Sequence, residues 1–206
     1  DVDERSLREI YLSAFEGAVK KGKPWTVMNS YNRINGKYVG ESKEYLTDIL
    51  RNEWGFDGYV VSDWGAVNDR VEGLKAGLDL EMPSSGGMND ALIVEAVKEG
   101  TLDECVVDTA CERIIDIIFR YAENRDPDAK LDLQKDHETA AAIEEECIVL
   151  LKNEDNILPL PKEKKVAFIG KYAESPRYQG GGSSHINSWK VEAALEAVKE
   201  IAEVTY

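Results

Sequence analysis

The apolar positions of the first 121 residues follow two different spacings. In residues 4–21 they recur every three or four positions, which predicts an amphipathic helix. Residues 24–30 and 57–62 are short apolar runs and predict buried strands, and residues 79–83 predict a third. The chain therefore alternates between helical and extended segments from its start.

Helical patterns fill the segments between these runs. They cover residues 42–56, 68–78 and 88–121, and the last is broken at Gly100-Thr101. Strand and helix in alternation predict βα units around a parallel sheet. Only three strands are predicted, and the 121 residues are about half of the roughly 250 that a (β/α)8 barrel takes. We therefore expect residues 1–121 to be the C-terminal half of a TIM-type barrel, with the rest supplied by preceding sequence.

The remaining residues predict a second α/β domain. Residues 122–164 are expected to be an interdomain linker with a helix, because a polar stretch is followed by a helical pattern over 137–153. Residues 165–170 predict an apolar strand, and residues 190–202 predict a helix. Residues 165–206 are then the beginning of this domain, and we expect its next strand to lie after the last residue.

Charge and composition limit the classes of partner and substrate that the protein can have. Forty acidic against 25 basic residues give a net charge of -15, which argues against nucleic acids and anionic membranes as partners. The same charge fits an enzyme with a neutral substrate, although solubility alone explains it equally well. No apolar run reaches the length of a membrane-spanning helix, and no signal peptide is evident in these residues.

The cysteines and histidines indicate no metal site. Cys105, Cys111 and Cys147 are odd in number and lie in helical patterns, so we expect buried free thiols, which favour a cytoplasmic location. His137 and His185 form no metal-spaced cluster with them. No metal or organic cofactor is expected.

The strongest chemical signal follows the second strand, in VVSDWGA at residues 60–66. A strand end puts the Asp63 carboxylate at the sheet edge where (β/α)8 enzymes have their active sites. There it is placed to attack a sugar anomeric carbon, and the neighbouring Trp64 offers an apolar face to a pyranose ring. The alternative is that Asp63 only caps the following helix.

Two further segments carry candidate residues. Tyr31 lies just after the first strand, where its phenol is placed to bond a sugar hydroxyl or the Asp63 carboxylate; Met28 either lines the pocket or belongs to the core. The glycine-rich residues 180–184 lack the spacing of a phosphate-binding loop. They remain either a flexible interdomain loop or a sugar contact.

Five sequence blocks, spanning roughly residues 24–189, resemble the family 3 glycoside hydrolases. They occur in the family's order: VMNSYNRINGKYVGES, LTDILRNEWGFDGYVVSDWGAV, AGLDLEMP, CIVLLKNEDNILPL, and VAFIG with a distal GGGSS. The resemblance implies a (β/α)8 barrel followed by an (α/β)6 sandwich, with the active site at their interface.

The resemblance also implies roles for individual residues. Asp63 corresponds to the nucleophile, Trp64 to a residue lining the sugar subsite, and Tyr31 to a tyrosine that approaches the nucleophile. Met28 corresponds to the pocket wall, and Ser183 to a second-domain serine that reaches the sugar in some members. The family's acid/base carboxylate would lie beyond residue 206, and its sugar-binding Lys-His pair and an early Asp would lie before residue 1.

The resemblance therefore predicts a retaining β-glucosidase-type exo-hydrolase acting on a β-glucoside or oligosaccharide. Alone, these residues are expected to be inactive, because no acid/base is present. Two alternatives stay open. One is a β-xylosidase or β-N-acetylglucosaminidase of the same family, although the latter often lack the second domain. The other is a catalytically silent carbohydrate-binding segment.

Overall fold

A computed structural model describes residues 1–206, which form two compact units, Asp1–Pro127 and Asp128–Tyr206. In the first unit a helical segment of α and π turns, α1, covers residues 4–22. The elements that follow are β1 (Thr26–Met28), β2 (Arg33–Ile34), β3 (Lys37–Tyr38), the π-wound helix α2 (Glu44–Glu53), β4 (Tyr59–Val61), α3 (Arg70–Ala76), α4 (Met88–Lys98) and α5 (Glu104–Asn124).

Two of the three predicted strands form a parallel pair. β1 and β4 run side by side with Thr26 opposite Tyr59 and Met28 opposite Val61, and α2 lies between them in the chain. The chain is therefore an α/β protein, as predicted. The third predicted strand, residues 79–83, is wrong as a strand, since only a single parallel bridge joins Leu80 to Val61. The ladder stops there because the next contact is made by the Ser62 side chain, which bonds the backbone of Met82.

The core of the first unit is built on β4. Val60 in the middle of the strand is fully buried, and burial of such a side chain stabilises a fold by about 1.5–3 kcal/mol. The cluster around it takes one residue from α1 and others from α2 and the segments flanking β4: Val19, Leu46, Leu50, Phe56, Ala76 and Leu78. A second cluster joins α3, α4 and α5 through Leu74, Ala96, Leu102 and Ala110.

The turn indicated by the Asn-Gly dipeptide at residues 35–36 and the predicted break in the last helical pattern are confirmed. Asn35 and Gly36 both have positive φ, 49° and 86°, and join β2 to β3 as a two-residue hairpin turn. Gly55, with φ 74°, follows the end of α2. The break predicted at Gly100-Thr101 separates α4 from α5, and Asp69 caps α3 by accepting the backbone N–H of Glu72.

The second unit contains α6 (Leu133–Cys147), β5 (Val166–Ala167), α7 (Ala194–Lys199) and β6 (Val204–Thr205). The helix predicted over 137–153 is wrong at both ends. Asp132 caps it early by accepting the Lys135 N–H, and it stops before Ile148 and Val149, whose branched side chains disfavour helix. β6 pairs in parallel with β5. The next strand, expected beyond the chain, is therefore present.

The three cysteines are free, as predicted, but the prediction that they are buried is wrong, because all three are exposed. On α5 the buried positions are Ala110 and Ile117, and Cys105 and Cys111 face away from them. None of the helices combines the length and apolar character needed to cross a membrane.

Candidate active site

The C-terminal ends of β1 and β4 bring the predicted residues of the first unit to one edge. Because the strands are parallel and in register, the residues after Met28 and those after Val61 leave the sheet side by side. The chain continues to Asn29 and Tyr31 on one side, and to Ser62, Asp63 and Trp64 on the other. This edge is where parallel α/β folds carry their active sites.

Two neutral donors hold the Asp63 carboxylate. Its Oδ1 accepts the Trp64 backbone N–H at 2.7 Å and faces the Tyr31 hydroxyl at 3.1 Å. The same hydroxyl lies 2.7 Å from the Trp64 carbonyl oxygen, so its one hydrogen has two acceptors to choose between. The predicted approach of Tyr31 to Asp63 is therefore present as a direct contact in the structure.

The electrostatic environment keeps the Tyr31 phenol protonated. Partial desolvation is the main cause that raises the pKa of Tyr31 above its usual value, and the hydrogen bond and charge of Asp63 raise this pKa further. Tyr31 is thus a hydroxyl donor at neutral pH, available to a carboxylate or a sugar.

Asp63 does not cap the following helix. That role belongs to Asp69, whose carboxylate accepts the Glu72 N–H at 2.9 Å at the start of α3. Asp63 precedes α3 by several residues, and its carbonyl oxygen closes a local turn by accepting the Ala66 N–H. The helix-cap alternative is therefore wrong, and the carboxylate stays at the sheet edge.

The apolar candidates are open to solvent. Trp64 is 55% exposed, Tyr31 53% and Met28 51%. Asp63 itself is half-buried. Met28 also lines an apolar cavity of about 690 Å³ on the α1 side of β1, together with Leu7, Phe15 and other residues. Asn29 also lines this cavity, whereas Asp63, Trp64 and Tyr31 do not.

Ser183 lies in the second unit. It occupies the short 3-10 turn Gly182–Ser184 and is exposed, and the neighbouring Ser184 hydroxyl donates to the Gly181 carbonyl oxygen at 2.9 Å. The turn is thus held by local contacts.

Other carboxylates of the chain have structural or surface positions. Glu81 accepts a hydrogen bond from the Asn89 side chain at 2.7 Å, which ties the loop after Leu80 to the start of α4. Glu144, Glu145 and Glu146 form an exposed face of α6.

Two buried polar residues that the sequence did not single out support Asp63. Asn29 is 6% exposed, and its Oδ1 accepts the Asp63 backbone N–H at 3.0 Å. Ser62 is completely buried, and its hydroxyl donates to the Met82 carbonyl at 3.1 Å and accepts the Met82 N–H at 2.8 Å. The signal that could have identified them is their position: polar residues directly after two apolar parallel strands.

Comparison with known proteins identifies relatives across both units. The sequence profile described as "Glycosyl hydrolase family 3 N terminal domain" matches residues 1–117, and that of the family 3 C-terminal domain matches residues 148–204. Thermostable beta-glucosidase B of Acetivibrio thermocellus is 53% identical over 199 residues, which are 97% of this chain and 26% of that protein. An exo-alpha-(1->6)-L-arabinopyranosidase of Bifidobacterium longum is 45% identical over 209 residues, 97% of this chain and 27% of that protein.

A solved structure shows the same fold. Beta-glucosidase 3B from Thermotoga neapolitana, in complex with alpha-D-glucose, superposes with a TM-score of 0.90 at 39% identity, covering 99% of this chain and 30% of that one. The chain thus spans about a quarter of the length of the curated relatives it matches.

Proposed function

The chain belongs to glycosyl hydrolase family 3, and on that premise we propose that it supplies the nucleophile, Asp63, of a retaining β-glucosidase-type exo-hydrolase. The observation that carries the proposal is a half-buried carboxylate at the C-terminal edge of a parallel strand pair, held by a tyrosine hydroxyl and a backbone N–H. Neutral donors orient the carboxylate while leaving its negative charge unpaired, which suits a nucleophile.

The reaction would proceed in two displacements. Asp63 attacks the anomeric carbon, the glycosidic C–O bond breaks, and the leaving oxygen takes a proton from a carboxylic acid outside these residues. Water, deprotonated by the same group, then attacks the anomeric carbon of the glycosyl-enzyme and releases the sugar with the configuration it started with. Retaining chemistry needs two carboxyl groups roughly 5–5.5 Å apart. Because the second of them lies outside these residues in this proposal, the 206 residues alone are expected to be inactive.

The remaining candidates line the sugar subsite in this proposal. Trp64 is exposed beside Asp63, so its ring is available as a platform for a pyranose, and Tyr31 is placed to donate to the carboxylate or to a sugar hydroxyl. We assign Met28 to the pocket wall at the end of β1, and Ser183 to a sugar contact as the resemblance to the family implies. The substrate class is a β-glucoside or a short oligosaccharide.

The architecture proposed for the complete enzyme follows the family. Residues 1–121 are the C-terminal half of a (β/α)8 barrel, residues 122–164 a linker with a helix, and residues 165–206 the beginning of an (α/β)6 sandwich. Support comes from the parallel register of β1 and β4, the bridge at Leu80 and the parallel pair β5–β6. The parts of the barrel that complete the sheet are supplied by sequence outside these residues.

The test is to trap the glycosyl-enzyme in a complete enzyme. For this purpose the 206 residues replace the matched segment of thermostable beta-glucosidase B, and the chimera reacts with a 2-deoxy-2-fluoro-β-glucoside. Peptide mapping is expected to find the label on Asp63. Asp63→Asn should abolish labelling, whereas Glu81→Gln, a change at another carboxylate near this edge, should not. A label on any other carboxylate would overturn the assignment.

A substrate panel compares the glycones that the chimera accepts. One relative at 45% identity is named as an arabinopyranosidase, so an aryl α-L-arabinopyranoside belongs in the panel beside the aryl β-glucoside. Aryl β-xyloside and β-N-acetylglucosaminide test the other family activities. We expect the β-glucoside to have the highest kcat/KM; binding of sugars without turnover by the chimera would favour the carbohydrate-binding alternative.

A further inference from the structure

The hydrogen-bond ladder between β1 and β4 ends in a side chain. Met28 is opposite Val61, and the Asn29 N–H donates to the Val61 carbonyl at 2.9 Å, as in regular parallel pairing. The next donor on the β4 side is the Asp63 N–H, and the side-chain Oδ1 of Asn29 accepts it at 3.0 Å. The Asn29 side-chain amide thus replaces one backbone hydrogen bond of the ladder, just after the last paired residues of β1 and β4.

The Asn29 side chain is enclosed. It is 6% exposed, and a Cβ added at Gly40 would lie 2.4 Å from its Nδ2, so residue 40 must remain glycine for the amide to keep this place. On the other side of the same turn, completely buried Ser62 bonds Met82, and the Gly65 N–H also donates to the Met82 carbonyl at 3.0 Å. The backbone on both sides of Asp63 is therefore anchored from the interior.

We infer that Asn29 is a positioning residue for the nucleophile: by accepting the Asp63 N–H, it sets where Asp63 leaves β4 and so aims the carboxylate at the Tyr31 hydroxyl and the sugar. This inference rests on the proposed function of Asp63. Asn29 acts through Asp63 and contacts no substrate. A displacement of about 1 Å at a reacting group can cost roughly 100-fold in rate, so loss of this one bond is expected to matter.

The first measurement needs no turnover. In the chimera that carries these residues, hydrogen–deuterium exchange of the peptide containing residues 59–64 is compared for the parent, Asn29→Ala and Asn29→Asp. Asn29→Ala removes the acceptor and should expose the Asp63 amide to exchange, whereas Asn29→Asp keeps an oxygen in the same place and should retain protection. Unchanged protection in Asn29→Ala would overturn the inference whether or not Asp63 is the nucleophile.

The second measurement follows the chemistry. Asn29→Ala is expected to lower the rate of glycosyl-enzyme formation from the 2-fluoro glycoside and kcat by roughly 100-fold, with KM changed less than about threefold, and Asn29→Asp to recover at least a tenth of the parent rate. Thr47→Val is the control, because it removes a partly buried hydrogen bond, 2.8 Å from Oγ1 to the Ala76 carbonyl, away from Asp63.

A loss of activity in Thr47→Val as large as in Asn29→Ala would show a general effect of destabilisation and would overturn the inference. The failure of the proposed function has a different signature, since the label would then appear on another carboxylate in the parent chimera. If labelling is on Asp63 but Asn29→Ala labels at the parent rate, the nucleophile stands and the positioning role does not.

Discussion

Two aspartates that adjoin β4 have opposite surroundings. Asp79 lies beneath β4 with 1% of its side chain exposed, and it binds Arg51 at 2.6 Å, Arg113 at 2.8 Å and the Val60 N–H at 2.7 Å. Asp63, three residues after Val60, is half-buried at the strand edge and is held by neutral donors. Two guanidinium groups neutralise the first carboxylate, and no such group contacts the second.

The difference separates a structural carboxylate from a reactive one. A buried charge persists only when it is paired and hydrogen-bonded, and Asp79 satisfies this condition by joining α2 and α5 to the core strand. Burial lowers the pKa of Arg51, and the charge of Asp79 opposes that shift. A carboxylate fixed in this way has little nucleophilicity left. Asp63 is oriented but not neutralised, and it faces solvent.

The strongest test of the difference between Asp63 and Asp79 is to remove the carboxylate of Asp63. In the chimera, Asp63→Ala should lower kcat by several orders of magnitude, because no covalent intermediate can form. The thermal unfolding midpoint should move little, since Asp63 carries no buried charge pair. A fall in the midpoint comparable to that of a core substitution would place Asp63 with Asp79 as a structural residue.

The second test removes the structural carboxylate. Asp79→Asn leaves two guanidinium groups without their counter-charge and should destabilise the first unit by about 3–5 kcal/mol, measured by urea unfolding. Asp57→Asn is the matched control, because it also breaks an arginine pair, to Arg120 at 3.1 Å, but with 70% of the Asp57 side chain exposed. The control should cost about 0–1 kcal/mol. Equal costs would mean that burial is not what distinguishes Asp79.

The third test addresses the neutral donor. Tyr31→Phe deletes the hydroxyl next to Asp63 and should lower kcat/KM by roughly 10-fold, about the value of one hydrogen bond to a charged group. In NMR titration of the phenol, Asp63→Asn should bring the pKa of Tyr31 down only part of the way to its usual value, because desolvation is the larger cause of the shift. Full return to the usual value would show that Asp63 alone causes it.

The fourth test, with the smallest expected effect, concerns a carboxylate that is paired with an arginine but is not buried. Glu53 binds Arg8 through two hydrogen bonds, 2.7 and 3.0 Å long, at the surface, and this pairing lowers the pKa of Glu53. Its stabilisation should therefore be complete above the unfolded pKa of about 4.5 and should disappear as the pH falls through the lower folded value. The difference in unfolding midpoint between the parent and Glu53→Gln is expected to be small at pH 7 and to decrease as the pH falls below the unfolded pKa. Glu112→Gln, at an exposed glutamate on α5, is the control substitution.

The sequence predicted the parts of this fold that depend on local pattern. The spacing of apolar residues located α1, β1, α2 and β4, and the Asn35-Gly36 and Gly100-Thr101 signals marked real turns. It failed where a tertiary contact replaced a local one. The segment after Asp79 looks like a strand, but the Ser62 hydroxyl intercepts its pairing at Met82.

The site was predictable to a similar degree. The sequence indicated Asp63, Trp64 and Tyr31 because they follow apolar strands, and the structure brings the tyrosine hydroxyl to the carboxylate. Asn29 escaped notice because nothing in its local pattern shows that its amide reaches the backbone of a residue 34 positions later. The exposure of the cysteines was missed for the related reason that helical periodicity does not say which face packs.

The parallel register of β1 and β4 also has a consequence for biosynthesis. Thr26 pairs with Tyr59, 33 residues later, so at about 5–20 residues per second β1 waits roughly 2–7 s on the ribosome for this partner. During that interval α1, which is made just before β1, can shield Val27, since Val19 packs in the same cluster. Substitutions in α1 should therefore affect the yield of folded protein more than the activity of the molecules that do fold.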